Sequence, residues 1–344
     1  MAQSGRTIGD ILRADCCARV EAVARATVWG QYLRVGKPPL GQFQLNQGVF
    51  TLMICITGAG GTVGSEVLKQ LQSKDVQIRA AYNSKEKAER AIASGIDAVV
   101  IDYNEPDTME KAFSGCDRLF LLGPNDVNQT RLESNAVEAA KASGVRYILK
   151  QSVMGAADES YSLANAHRPV EKAIEASGLA WSFLRPNSFM QNVVTFMSPT
   201  ITTEGTFYSA SENALISHVD VRDIAAVAVC ALTTRNHEGR AYTLTGPEAL
   251  TYDQVAEELS TALGRTISYV SLSPSDLKGA MVGGGMPEEL ADRLLDLERY
   301  FREGHASGVS NDVKFVTGKN PGNFRNYIKE IAATGILDEK NGAS

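Results

Sequence analysis

The chain has 344 residues, 44% of them hydrophobic and 22% charged, a balance that excludes disordered, collagen-like and coiled-coil architectures and leaves one large α/β domain or two packed units. Its net charge of −6 disfavours attraction to a polyphosphate backbone, and no apolar run approaches the roughly 18 to 20 residues of a membrane span, so neither nucleic acid nor membrane is expected as a partner. The five cysteines, Cys16, Cys17, Cys55, Cys116 and Cys230, form no metal-ligand or disulfide pattern, which predicts a reducing cytoplasm, no metal, and core roles for the last three.

Residues 1–52 carry six basic and three acidic side chains, a net +3, and leave −9 on the remaining 292 residues. This leader ends in the Gly/Pro/Gln-rich stretch 36–48, which resembles a linker. Three readings stay open: a loose extension, a targeting segment, and an upstream stretch preceding a start at Met53.

From Met53 onward strand and helix alternate. Strands are predicted at 53–57, 76–82, 98–101, 118–122, 147–150 and 181–184, and helices at 65–73, 85–94, 107–113, 131–143 and 167–177. Short apolar runs separated by helical patterns predict βαβ units with a buried parallel sheet, a doubly wound α/β fold. Beyond Arg185 the rhythm changes. A strand-like segment at 216–220 enters a helix at 221–232, with Asp220 and Asp223 as its cap, and a strand follows at 240–244. Thr251 to Gln254 forms a capping box opening the helix at 255–263, and helices are expected at 287–301 and 323–333. The triplet Gly283–Gly285 predicts a joint or lid. The expected organisation is a leader at 1–52, a dinucleotide-binding domain at 53–250 to which 187–215 adds substrate-side residues, and a smaller, mostly helical substrate region at 251–344.

The first strand turns into its helix through Gly58, Ala59, Gly60, Gly61, Thr62, Val63 and Gly64. One glycine serves the tight turn, a second lets the backbone approach a pyrophosphate, and a third lets helix and strand pack closely. The helix N-terminus then presents unpaired N–H groups to phosphate. At the end of the second strand, Asn83, Ser84 and Lys85 stand where an NAD-selective site would place an acid, which favours NADP(H) over NAD(H). The competing reading is a solvated helix start.

These residues resemble a family. Thr57-Gly-x-x-Gly-x-x-Gly64, the run at 80–88, the pair His167 and Glu171, the stretch from Ser177 through Pro186 to Asn192, and His218-Val-Asp-Val-Arg-Asp-Ile224 are similar to the NmrA-like branch of the atypical short-chain dehydrogenase/reductases. That branch includes quinone oxidoreductases, triphenylmethane reductase and cofactor-sensing regulators. The resemblance covers 53–333 and implies a Rossmann domain, with the adenine side near Asp102 and Tyr103 and the nicotinamide side near Leu122, Gly123, Pro124, Ser152 and Pro186. It also exposes a departure: Tyr161 is followed four residues on by Asn165 rather than lysine, which disfavours ordinary alcohol dehydrogenation.

The expectation is therefore an NADP(H)-dependent oxidoreductase that delivers hydride to a planar conjugated acceptor such as a quinone, enone or dye, acting as monomer or homodimer. The alternatives are a non-catalytic NADP(H) sensor working through a protein partner and a lyase or isomerase on the same scaffold. His167 is the expected proton donor, with Glu171 four residues on fixing its tautomer, and Tyr161 and Ser152 are the other candidates. Asn187, Phe189, Met190 and Asn192 are expected to line the acceptor pocket, and His218 is expected to be structural.

Overall fold

The computed structural model describes residues 51–338. The leader, apart from Thr51 and Leu52, lies outside the described residues, as do Cys16 and Cys17. In chain order the elements are β1 (Met53–Ile56), α1 (Thr62–Leu71), β2 (Gln77–Tyr82), α2 (Lys85–Ala93), β3 (Asp97–Val100), α3 (Pro106–Phe113), β4 (Arg118–Leu121), α4 (Gln129–Ala142), β5 (Tyr147–Gln151), α5 (Ser162–Ala176) and β6 (Ala180–Pro186). They continue with α6 (Ser198–Glu204), β7 (Thr206–Ser209), α7 (Val221–Thr233), β8 (Arg240–Leu244), α8 (Tyr252–Leu263), β9 (Ser268–Ser271), α9 (Pro274–Gly283), α10 (Glu288–Arg302), α11 (Asp312–Thr317) and α12 (Phe324–Ala332).

Seven strands pair in parallel in the order β3-β2-β1-β4-β5-β6-β8. The chain runs outward from β1 to one edge and then, from β4, to the other, so the order reverses between β1 and β4. A doubly wound sheet opens a crevice at such a point, beyond the carboxyl ends of the strands. Both faces are covered: α1, α2 and α7 pack through Val63, Val67, Ala88, Ile224 and Ala228 on one side, and α3, α4 and α5 through Met109, Phe113, Ala136, Val137, Val170 and Ile174 on the other. Burial on both faces explains why the inner strands are short apolar runs without alternation. Cys55 and Cys116 lie in the second core.

Several predicted elements shift. Helix α5 starts at Ser162 rather than His167 and carries Pro169 in its interior. Its inward stripe, Ala164, His167, Val170, Glu171 and Ile174, has helical spacing, and burial of that stripe against the sheet offsets the proline's missing hydrogen bond. The segment 216–220 is not a strand; it makes single bridges only, Ile216 with Leu250 and Val219 with Phe189. Asp220 caps α7 by accepting the Arg222 N–H, whereas Asp223 accepts the N–H of Gly322 at 2.7 Å, tying α7 to the C-terminal region instead of capping it.

The C-terminal region is less purely helical than expected. β7 and β9 form a parallel two-stranded sheet, and a third core gathers Tyr161, Met190, Phe207, Tyr252, Leu259, Phe301, Phe324 and Ile328 around it. The capping box at Thr251 and Gln254 is formed. Gly283–Gly285 turns α9 into α10, and Lys278 bridges the two helices to Glu288 (2.9 Å) and Asp292 (2.6 Å). At the sheet's outer edge, Asp312 accepts the Thr243 N–H of β8 at 2.8 Å, and Ser310 donates to the Thr243 carbonyl. Among the described residues no helix is long and apolar enough to cross a membrane.

Candidate functional site

The crevice between the ends of β1 and β4 is built from three backbone segments. The first is the glycine turn. Gly58 adopts φ +63°, in the left-handed region that favours glycine, and its Cβ would lie 3.0 Å from the Leu122 carbonyl oxygen. Gly64 admits no side chain, because its Cβ would lie 2.1 Å from the Gly58 carbonyl oxygen. Gly61, the N-cap of α1, makes no side-chain cap hydrogen bond, and a Cβ there would meet only the Gly58 carbonyl oxygen, at 3.4 Å. The helix start therefore presents bare backbone to the crevice, the arrangement that suits a pyrophosphate.

The second segment is Leu122, Gly123 and Pro124, after β4. Thr57 Oγ1 accepts the Leu122 N–H at 2.9 Å and donates to the Phe120 carbonyl at 3.1 Å, while the Tyr103 hydroxyl donates to the Leu122 carbonyl at 2.9 Å. Burial pushes the Tyr103 hydroxyl pKa up, so it remains a donor. The third segment is the end of β2, where Tyr82, Asn83 and Lys87 face the turn. Ile101 and Tyr103 close that side.

Of the residues singled out in the sequence, Gly58, Gly60, Gly61, Asn83, Tyr103, Leu122, Gly123 and Pro124 line this cleft. Ala59 and Val63 are buried behind the turn, and Thr62 opens α1. Three other expected residues, Ser84, Lys85 and Asp102, stand beside the cleft rather than in its lining. Ser84 caps α2, accepting the Lys87 N–H, and Lys85 points away to pair with Glu89. The lysine lining the cleft is Lys87, two positions on, brought round by the first turn of α2. Asp102 turns back on its own loop to accept the Asn104 N–H at 2.8 Å, and is not among the cleft-lining residues.

The proton-donor candidates lie elsewhere. Tyr161 is buried against Tyr300, donates to the Met154 carbonyl at 3.1 Å, and has its pKa pushed up by burial. Ser152 is 1% exposed and lies beside the Glu171 carboxylate, whose pKa it helps to lower; Pro186 is buried and its carbonyl accepts the Met154 N–H. His167 does not meet Glu171. That carboxylate is claimed by Arg185 (2.6 Å) and Arg168 (3.0 Å), which overcome the effect of burial and hold its pKa below the usual range. His167 faces inward instead, with Nδ1 3.0 Å from Lys150 Nζ and the ring beside the Gln129 side chain. Burial and the Lys150 charge push its pKa down, so the imidazole is neutral, with Nδ1 accepting from the ammonium. Sequence reasoning missed this cluster; a lysine on a strand buried on both faces was the available signal, because such a charge needs a partner.

Among the expected acceptor residues, Asn187 acts as a pin, donating to Ser217 Oγ and to the Ala306 carbonyl, both at 2.8 Å. Met190 is in the third core, Phe189 packs partly buried against the first, and Asn192 bonds to Ser188. His218 is buried near Tyr252 and Phe324, with neither ring nitrogen partnered among the described residues, and burial pushes its pKa down to about 4.

A pH effect follows. The unfolded chain takes up a proton at His218 below its ordinary 6.5, whereas the folded chain resists until about pH 4. The stability from this group is complete above the higher value and is lost as pH falls toward the lower one, about 2 kcal/mol by pH 5. Urea unfolding of wild type and His218→Phe between pH 7.5 and 5 should show a shallower pH dependence in the variant; parallel curves would contradict the assignment.

The sheet order and the glycine-lined crevice at its switch point define a dinucleotide-binding protein of the doubly wound type. The chain belongs to the NmrA-like family, whose family model matches residues 51–327. It is 36% identical to an NAD(P)H azoreductase of Xenophilus azovorans over 282 residues, 82% of this chain and 98% of that protein. The solved structure of the NADPH-dependent quinone oxidoreductase QOR2 of Escherichia coli in complex with NADPH superposes with a TM-score of 0.74 at 29% identity, covering 81% of this chain and 99% of that one. The triphenylmethane reductase of Citrobacter sp. in complex with NADP(H) gives a TM-score of 0.73 at 26% identity, covering 81% and 99%.

Proposed function

We propose that this NAD(P)H-dependent reductase of the NmrA-like family transfers hydride from NADPH to a planar conjugated acceptor, a quinone, enone or dye. The observation that carries the reading is the cleft itself, with an uncapped helix start and bare glycine backbone at the switch point. Relatives that act on azo dyes, quinones and triphenylmethane dyes support the acceptor class.

When bound, NADPH supplies the hydride. The chain's residues bind and orient: the α1 start and glycine turn take the phosphates, and the Leu122–Pro124 segment, held by Thr57 and Tyr103, walls the cleft. His167 and Tyr161 are both engaged internally, so neither is presented at the cleft as an acid. That arrangement suits an acceptor whose π-system takes up the added charge and needs little general-acid help. It suits simple alcohol dehydrogenation poorly.

Mixing the purified protein with NADPH and a panel of quinones, azo dyes and triarylmethane dyes should give acceptor reduction matched by NADPH consumption. Tight NADPH binding without turnover of any class would refute the reading. Lys87, beside Asn83 and with no acid at the strand end, is the proposed reader of the 2′-phosphate. Lys87→Ala should weaken NADPH binding roughly tenfold, the scale of a lost charge-assisted hydrogen bond, and leave NADH binding nearly unchanged in a fluorescence titration. Equal losses for both cofactors would remove Lys87 from that role.

A further inference from the structure

Behind the Gly123 wall of the cleft lies a polar cluster with no part in the chemistry above. Lys150, on the central strand β5, is 0% exposed, and its three N–H donors are all used: Glu133 Oε2 at 2.5 Å, the Gln151 carbonyl at 2.9 Å and His167 Nδ1 at 3.0 Å. Glu133, on α4, is likewise 0% exposed, and its other oxygen, Oε1, accepts the backbone N–H of Gly123 at 3.0 Å. Contact between loop and carboxylate is close enough that a Cβ on Gly123 would lie 2.4 Å from Glu133 Cγ. The cleft wall is thus fastened twice, at Leu122 by Thr57 and Tyr103 and at Gly123 by Glu133.

A buried ion pair adds little net stability, because desolvation offsets most of the attraction, and an apolar pair of similar volume would fill the space as well. What an apolar pair would not provide is an acceptor for Gly123. An orphaned N–H there would leave the wall free to shift, and small displacements of a positioning segment cost far more in rate than in fold stability.

We propose that Glu133 and Lys150 are positioning residues for the reduction: Glu133 pins the Gly123 backbone where it walls the cofactor cleft, and Lys150, with His167 as its third acceptor, holds that carboxylate in register. The assignment rests on the reading that NADPH occupies this cleft.

Two double variants test it, each free of buried charge. In Glu133→Leu/Lys150→Met the Gly123 N–H loses its acceptor; in Glu133→Gln/Lys150→Met the amide oxygen can still take it. For the first, NADPH Kd measured by fluorescence should rise roughly 10- to 100-fold and kcat should fall, with KM for a quinone within about twofold of wild type. The second should recover NADPH binding to within about threefold. Wild-type binding and turnover in the first double would overturn the proposal, as would a glutamine double no better than the leucine one, since that would mark a merely structural role. Should the leucine double fail to fold, Gly123→Ala probes the same contact from the loop side with the ion pair intact; unchanged NADPH Kd and kcat in that variant would overturn the proposal. Wild-type protein that neither binds NADPH nor reduces the quinone would instead refute the function itself.

Discussion

Gly64→Ala is expected to lose about 3 kcal/mol of folding stability and NADPH binding together. The added Cβ would lie 2.1 Å from the Gly58 carbonyl oxygen and 2.7 Å from its carbon, both backbone atoms, so α1 must move away from the turn. No rotamer change relieves such a contact. Gly61→Val makes the contrast, because its side chain would project toward the cleft, with only the Gly58 carbonyl oxygen within reach, at 3.4 Å. That variant should block NADPH while costing only about 0.5 to 1 kcal/mol in urea unfolding, the scale of replacing glycine at a helix N-cap. Urea unfolding and cofactor titration on both variants separate the two roles. A Gly64→Ala protein as stable as wild type would show that the turn does not constrain the helix.

Lys150→Met alone should destabilise the protein by about 3 to 5 kcal/mol, because it leaves the fully buried Glu133 without its ammonium partner. Against a typical total of roughly 5 to 15 kcal/mol, that loss is large enough to halve expression or prevent folding at 37 °C. Glu133→Gln in the same background should restore most of it by removing the stranded charge. Equilibrium unfolding of the two variants measures the difference, and a single variant within about 1 kcal/mol of wild type would show that the pair carries no such penalty.

The doubly wound sheet was legible because strands buried on both faces must be short apolar runs, and the glycine spacing marked the turn between β1 and α1. The caps at Thr251 and Asp220 were legible for the same local reason: each side chain bonds to its own helix start. What stayed hidden was contact set by tertiary geometry. His167 and Glu171 do share a helix face, but Arg185 on β6 takes the carboxylate and Lys150 on β5 takes the imidazole, and neither competitor is near in sequence. Glu133, Lys150 and His167 are separated by 17 residues at each step, so no motif length joins them. Near β2 the lysine that lines the cleft is Lys87 rather than Lys85, a difference of phase within one helical turn. β7 and β9 escaped because each has four residues and β9 is mostly exposed, leaving no apolar pattern to detect.

The clasp on β8 bears on how much of the sheet's edge is open while the chain is being made. An edge strand offers unpaired N–H and C=O groups to any neighbouring chain, and capping them prevents strand addition. Here Thr243 is capped from both sides by Ser310 and Asp312, residues synthesised well after the sheet is complete. A nascent or truncated chain ending before Ser310 therefore exposes a β8 edge at Thr243 that the finished protein covers, and intermolecular pairing there is the route by which such a fragment would aggregate.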